Sequence, residues 1–301
     1  MTSAILRFDG RVAIVTGAGR GLGREHAMLL ASRGAAVVVN DSSEKHAQAT
    51  VSDIRERGGR AIVAVHDVAD PLACDAMVAN TLREFGDLHI VLNNAGRGGP
   101  TGLVEDTTHE QLRMIMSTHA EGTFNVCKSA WMHMKRQNFG RVLVTSSGSG
   151  LGVKFSIAYS MAKAALFGLT RSLALEGADH GIKVNALLPI GYTRSAALNP
   201  HEDTRRWMEQ NFPPSAVAPT AVFLVHDDVP CTGELINTGA GRVARTATIG
   251  APGYYKGLSL TPEDVRDNFV TALSMDGSRE LMQSRDDLQF YSGDAAFPDE
   301  N

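Results

Sequence analysis

Val12-Ala13-Ile14-Val15-Thr16-Gly17-Ala18-Gly19-Arg20-Gly21-Leu22-Gly23 runs four apolar residues straight into a glycine-rich turn. A continuous apolar run this short reads as a strand buried on both faces. The segment after the turn, Arg24 to Ser32, has helical character and stops at Gly34. The same alternation continues outward. Val37–Val39 reads as a second strand closed by Asn40-Asp41, and Ser43 to Arg57 as a polar helix stopped by Gly58-Gly59. Ala61–Val65 reads as a third strand, followed by Asp67 and by a helix opened at Pro71, where proline is tolerated. Further strands are expected at His89–Leu92, Arg141–Thr145 and Ile182–Leu187, with helices between them. Strand and helix alternating at this spacing predict an α/β fold, a doubly wound parallel sheet with helices on both faces.

Composition bounds the rest. The 301 residues are 43% hydrophobic and 21% charged, which excludes a disordered or fibrous chain. A net charge of −4 offers no basic footprint for nucleic acid. No uninterrupted apolar stretch approaches the ~18–20 residues that span a bilayer, and Met1 to Arg11 lacks the apolar region of a secretory leader. Cys74, Cys127 and Cys231 stand far apart, against both a disulfide framework and a cysteine zinc site. No zinc-binding spacing occurs among the ten histidines, and no G-x-S-x-G frames Ser146, Ser147 or Ser149. A cytoplasmic protein without metal, nucleic-acid or membrane partners is the expectation.

The glycine turn follows a strand and opens a helix, the context a dinucleotide loop requires. Strict G-x-G-x-x-G spacing fails, because Leu22 takes the place of its third glycine; G-x-x-x-G-x-G fits, at Gly17, Gly21 and Gly23. Such glycines let the backbone approach a pyrophosphate, and the helix start supplies N–H groups and a favourable dipole. Asp41 ends the second strand, 18 residues after Gly23. A carboxylate there can accept both ribose hydroxyls of NAD and repels a 2′-phosphate. Arg20 argues the other way, since a guanidinium can pair with that phosphate. Asp41 sits on the more rigid element, so NAD is favoured over NADP. Asn93-Asn94-Ala95-Gly96 follows the fourth strand, which borders the first at the switch point, so its end faces the same crevice.

Tyr159 and Lys163 are spaced i, i+4 and share a helix face. A phenol near pKa 10 is a poor acid–base group at neutral pH, and a nearby ammonium lowers it. A serine hydroxyl at the end of the fifth strand can hold a substrate oxygen beside the tyrosine. Thr16–Gly23, Asn93–Gly96, the Ser146-Ser147 pair and Tyr159-Ser160-Met161-Ala162-Lys163, in this order, resemble the short-chain dehydrogenase/reductase family over roughly residues 8–240. The resemblance implies a single Rossmann-like domain that transfers hydride between NAD(P) and a carbinol or carbonyl. It implies Tyr159 as general acid/base and Lys163 as the group that lowers its pKa and binds ribose. It also implies cofactor contacts from Leu22, Asp67, Val68, Asn94, Ala95, Gly96, Pro189 and Thr193, and a homodimer or homotetramer.

A narrower likeness is to the (3R)-hydroxyacyl-CoA dehydrogenase subgroup, the domain found in peroxisomal multifunctional β-oxidation enzymes. Leu6–Arg11, Val39-Asn40-Asp41, Ala130–Lys135, Gly239-Ala240-Gly241 and Leu260–Val265 carry it. His119 stands where most of the family has asparagine and this subgroup has histidine, which implies a place in the site, in a proton relay through water. Two departures are visible. After Asp41 the subgroup's glycine-rich insertion is missing. The Gly150-to-Tyr159 interval is one residue short, so counting back from the tyrosine selects Ser146, while counting from the strand anchor Arg141 selects Ser147. Strand ends are less free to shift than the loop after them, which favours Ser147.

The domain expectation is a dehydrogenase domain at 1–240 with a substrate lid at about 191–213, and an extension at 241–301 packing on it or on a neighbouring subunit. The expected reaction interconverts a secondary alcohol and a ketone on a 3-hydroxyacyl-CoA-like or other lipophilic substrate. A hydroxysteroid dehydrogenase is the alternative within that chemistry, and a non-catalytic NAD-binding regulatory protein is the alternative outside it.

Overall fold

The computed structural model describes residues 5–99, 101–193 and 201–291. Its contacts divide the chain into two compact units, Met1–Arg245 and Thr246–Asn301. In the first unit, β1 (Val12–Val15), α1 (Gly21–Ser32), β2 (Ala36–Asp41), α2 (Glu44–Glu56), β3 (Arg60–Val65), α3 (Pro71–Phe85) and β4 (Ile90–Asn93) follow the expected alternation. Then come α4 (His109–Met116), α5 (Gly122–Arg136), β5 (Gly140–Thr145), α6 (Ile157–Gly177), β6 (Ile182–Pro189), α7 (Glu202–Asn211), α8 (Ala218–Phe223), β7 (Leu235–Gly239) and β8 (Arg242–Thr246).

The strands form one sheet in the order β3-β2-β1-β4-β5-β6-β7-β8. Pairings from β3 across to β7 are parallel. β8 departs from the all-parallel expectation. It returns from β7 through Ala240 and Gly241, both at positive φ (48° and 76°), the two-residue turn that joins antiparallel strands.

Alternation within each strand builds two cores. Ala13, Val15, Val37 and Val39 face one layer with Ala27 and Leu30 of α1, Val51 and Ile54 of α2 and Ala221 of α8. Ile14 and Val38 face the other, with Met77 of α3, Val126 of α5 and Leu166 of α6. Because both faces are covered, the strands carry no polar alternation, which is why they read as continuous apolar runs. The order reverses between β1 and β4, and a crevice opens there at the carboxyl ends of the strands.

In the second unit, β9 (Ile249–Gly250) pairs antiparallel with β10 (Arg279–Glu280). Between them lie α9 (Pro262–Asp267) and α10 (Phe269–Ala272), and α11 (Ser284–Tyr291) follows. Thr261 caps α9 by accepting from Asp264 N–H, and Asp264 accepts in return from Thr261 N–H, as the Thr-Pro-Glu sequence leads one to expect.

Candidate active site

Helix α1 starts three residues earlier than the sequence suggested, at Gly21, with Arg20 as N-cap. No side chain caps this end and no acidic residue lies in its first turn, so its leading N–H groups point at the crevice without an internal anion. Gly17 (φ 61°) and Gly21 (φ 57°) take left-handed conformations that bend the chain into the helix. Gly23 serves a different purpose from the cofactor contact expected of it, for it does not line the cavity. A Cβ there would sit 2.4 Å from Gly17 O and 2.5 Å from Asn94 Nδ2. Its bare backbone lets α1 close against the turn. Gly23→Ala should therefore destabilise the fold by about 1–3 kcal/mol, the usual penalty of overpacking, and weaken dinucleotide binding with it. Thermal denaturation and an NADH fluorescence titration check this; an unchanged midpoint and affinity would refute it.

Thr16 and Asn94 tie the ends of β1 and β4 together. Asn94 N–H and Ala95 N–H donate to Thr16 Oγ1 (3.0 and 2.9 Å), and Asn94 Nδ2 donates to Thr16 O at 3.0 Å. Asn40, buried in β2, donates to Ala64 O and His66 O across to β3. Asp41 accepts from Gly19 N–H (3.1 Å) and Ser43 N–H (2.9 Å), which aims its carboxylate along the crevice rim.

The crevice is a cavity of about 550 Å³. Gly17, Arg20, Gly21, Leu22, Asp41, Asp67, Val68, Asn94, Ala95, Gly96, His119, Ser147, Tyr159, Lys163, Pro189 and Thr193 all line it, as the sequence reading expected. It is also lined by Ser146, the alternative serine of that reading, and by Asn40, Ser42, His66, Arg97, Gly98, Thr118, Thr145 and Gly191, which that reading had not placed there. A left-handed glycine turn, an uncapped helix start and a carboxylate at the next strand end together fit an adenine dinucleotide.

At the other end of the cavity, β5 and α6 converge. Ser146 is 2% exposed, and its hydroxyl donates inward to Lys163 O at 2.7 Å. Ser147 turns the opposite way, accepts from Ser149 N–H at 3.1 Å and hydrogen-bonds the Tyr159 hydroxyl. Of the two serines, Ser147 is thus the one set beside the phenol. Lys163 is buried, donates from Nζ to Thr145 O at 2.6 Å, and lies 5.6 Å from the Tyr159 ring centre. Burial pushes its ammonium down to about 7. Burial also raises the Tyr159 phenol, against the hydrogen bond from Ser147 that lowers it. The expected lowering by Lys163 is therefore not the dominant effect here. Desolvation thus disfavours charge on both partners.

His119 lies in a π-helical turn, Ser117–Glu121, wedged between α4 and α5. Such turns recur at functional sites. Its ring is buried, stands edge-on to Tyr159 with centroids 5.2 Å apart, and places Nε2 against the backbone N–H (3.2 Å) and carbonyl (2.9 Å) of Arg97. Burial first, and the charge of Lys163 second, push it down to about 3, so the imidazole is neutral near pH 7.

The segment expected as a lid is tied at its base, where Tyr192 N–H donates to Phe212 O at 2.6 Å. Within it, α7 carries Trp207, packed edge-on to Phe212. Residues 194–200 of this segment lie outside the described residues.

Comparisons with known proteins agree with this geometry. A family model for the short chain dehydrogenases matches residues 11–206. The chain is 38% identical over 279 residues to peroxisomal multifunctional enzyme type 2 of Mus musculus, covering 88% of this chain and 37% of that one. The structure of full-length peroxisomal multifunctional enzyme type 2 from Drosophila melanogaster superposes with a TM-score of 0.81 at 30% identity, over 96% of this chain and 50% of that one. The chain thus spans half or less of either enzyme. A 7α-hydroxysteroid dehydrogenase, solved with NADH and 7-oxo glycochenodeoxycholic acid, superposes at 0.72 and 27% identity, over 78% of this chain and 95% of that one.

Proposed function

The chain belongs to the short chain dehydrogenase family of oxidoreductases, and from that premise we propose that it is an NAD-dependent dehydrogenase interconverting a secondary alcohol and a ketone on a 3-hydroxyacyl-CoA-like substrate. The observation that carries this reading is the Tyr159 hydroxyl, hydrogen-bonded to Ser147 and facing the dinucleotide crevice above a buried Lys163. A bound nicotinamide dinucleotide supplies the two-electron acceptor or donor. The chain's own residues handle the proton and the oxygen. Ser147 Oγ holds the substrate oxygen beside Tyr159 Oη, and Tyr159 takes the carbinol proton in oxidation or returns it in reduction. Lys163 stabilises the phenolate and would hold the ribose of a bound dinucleotide. His119, neutral and locked to the Arg97 backbone, acts by packing against Tyr159 and fixing its ring; a relay through an imidazolium would need a proton it does not hold near neutrality.

The acyl part of the reading has two supports. One is the likeness across 88% of this chain to a multifunctional enzyme whose full length it does not span. The other is the loop that joins Ser147 to Tyr159 in the chain, which exposes Leu151, Val153 and Phe155, apolar surface suited to a lipophilic chain. The same surface and the likeness to a hydroxysteroid dehydrogenase support a steroid alcohol as the second reading. Oxidation of 3-hydroxyacyl-CoAs and hydroxysteroids, followed by NADH absorbance, decides between them; no turnover of either would overturn the reading.

For NAD over NADP, the support is Asp41 at the end of β2, its carboxylate oriented by Gly19 and Ser43. Arg20 is exposed on the same cavity and is the competing influence. The wild-type enzyme should turn over NADH better than NADPH, and Asp41→Ala should narrow the gap by removing the repulsion of the 2′-phosphate. A wild-type preference for NADPH would show that Arg20 dominates.

Exposed apolar side chains on two helices, Phe124 and Met132 of α5 and Met161 and Leu175 of α6, support a homodimer or homotetramer. Among the described residues no helix is long and apolar enough to cross a membrane. Three free cysteines suit the reducing cytoplasm.

A further inference from the structure

Arg97 follows directly on the Asn93–Gly96 turn and lines the cavity with its side chain exposed. Its backbone is held by His119 Nε2, which donates to Arg97 O or accepts from Arg97 N–H according to its tautomer, and the His119 ring in turn stands 5.2 Å from Tyr159. A single imidazole thus separates the Arg97 backbone from the reacting phenol. Gly96 and Gly98 flank it and add no side chain to screen the guanidinium. Among the described residues no carboxylate pairs with it, a condition it shares with Arg20 on the same cavity, whereas Arg7, Arg11, Arg24, Arg206 and Arg266 have acidic partners.

The charges lining the cavity are sorted along the sheet. Asp41 ends β2 and Asp67 follows β3. Arg97 follows β4, and Lys163 is anchored on the last residue of β5. In the order β3-β2-β1-β4-β5, with strands about 4.8 Å apart, two or more strand spacings separate Asp41 and Asp67 from Arg97 and Lys163, while Arg20, after β1, stands on the acidic side. The half of the cavity where chemistry occurs therefore holds no lining carboxylate among the described residues, and Arg97 is the guanidinium that lines it. An unpaired guanidinium in a concave site is the arrangement that recognises carboxylate or phosphate by paired N–H donors.

We propose that Arg97 binds an oxyanion carried by the substrate and so selects acidic substrates over neutral alcohols of the same shape. This rests on the alcohol–ketone reading of the same cavity and deepens it by naming the residue that recognises a charge on the substrate. The oxyanion is either a carboxylate near the reacting carbon or a phosphate of a nucleotide thioester, and matched substrate pairs tell them apart. One pair is 3-hydroxybutyryl-CoA and its uncharged N-acetylcysteamine thioester; the other is 3-hydroxybutyrate and its methyl ester.

The wild-type enzyme with NAD should favour the anionic member of one pair. In Arg97→Gln the ratio of kcat/KM for that anionic member over its neutral partner should fall about 10- to 100-fold, in keeping with the loss of a hydrogen bond to a charged group. Arg97→Lys should restore part of it. An effect in the thioester pair assigns the phosphate, and one in the acid–ester pair the carboxylate. A ratio unchanged in Arg97→Gln for both pairs overturns the proposal. Calorimetric titration of wild type and Arg97→Gln with CoA and with acetoacetate, NADH present, makes the same comparison without turnover. Weaker binding only in Arg97→Gln upholds the anion site even if wild type oxidises none of the four alcohols, a result that would count against the dehydrogenase reading instead. Equal affinities in the two proteins overturn the anion site.

Discussion

Tyr159→Phe should retain dinucleotide binding and lose turnover by about 10²–10⁴-fold, the range general acid–base catalysis contributes. The ring stays, so the edge-on contact with His119 and the packing around Ile115, Ala158 and Ala162 survive. Only the hydroxyl that meets Ser147 is removed. Among the described lining residues neither Ser146 nor His119 can replace it. Ser146 is turned away to Lys163 O, and His119 is held neutral with its Nε2 on the Arg97 backbone. Stopped-flow NADH fluorescence for binding and steady-state absorbance for turnover check both halves. Substantial turnover at neutral pH would remove Tyr159 from its role.

The pH dependence separates Tyr159 from Lys163. Oxidation needs the phenolate, so protons inhibit, and the rate should rise with pH. Burial alone holds the Tyr159 phenol above its ordinary value, and it brings Lys163 down to about 7. The charged forms support each other: an ammonium within ~4–6 Å lowers a phenol, and a phenolate raises an ammonium. In Lys163→Ala that support is gone, and the rise in rate should move to more alkaline pH. Between pH 7 and 10 with saturating NAD, Lys163→Ala should therefore recover part of its activity while Tyr159→Phe stays inactive. Equal pH profiles for Lys163→Ala and wild type would refute the coupling.

The sheet was legible because its strands are covered on both faces. Val12–Val15 and Ala36–Val39 have no polar position to blur the run, and Gly34 and Gly58 mark where helices stop. Leu235–Gly239 escaped notice for the opposite reason. Its last buried positions are Thr238 and Gly239, and Thr238 is accommodated only by a hydrogen bond to Thr220 of α8, a partner 18 residues away. At the site, the glycine turn, Asp41, Tyr159 and Lys163 were readable because each sits at a strand end or on one helix face. The role of Gly23 was not, since its constraint comes from Gly17 O and Asn94 across the turn. Nor was the π-helical turn at Ser117–Glu121, which has no sequence signature and aims His119 at both Tyr159 and Arg97. Arg97 itself followed a motif that drew all the weight to Asn93–Gly96, and its unpaired charge is visible only once its neighbours are known.

Ser147→Ala should cut kcat by about 10²–10³-fold, the loss that removing one preorganised donor to a reacting oxygen brings, while Ser146→Ala should act mainly on stability. The two side chains differ only in the direction they leave the backbone after β5. Ser146 is still governed by the sheet: its N–H donates to Leu187 O of β6, and its hydroxyl satisfies Lys163 O inside the protein. Removing that hydroxyl takes one donor from a carbonyl inside α6 that keeps its helical partner, a cost of about 0.5–1.5 kcal/mol. It moves the Lys163 backbone only slightly, since the Nζ anchor on Thr145 O remains. Ser147 is the first residue past the strand's control, extended at φ −166° and ψ 152°, with its hydroxyl at the Tyr159 hydroxyl and its oxygen steadied by Ser149 N–H. Alanine there keeps the backbone and deletes the group that holds the substrate oxygen in line with the proton carrier. Thermal denaturation should thus fall for Ser146→Ala and hold for Ser147→Ala, with kcat ranked the other way. If Ser146→Ala proves the more damaging to kcat, the one-residue deficit before Tyr159 shifts the register, and the serine counted back from the tyrosine is the one that meets the substrate.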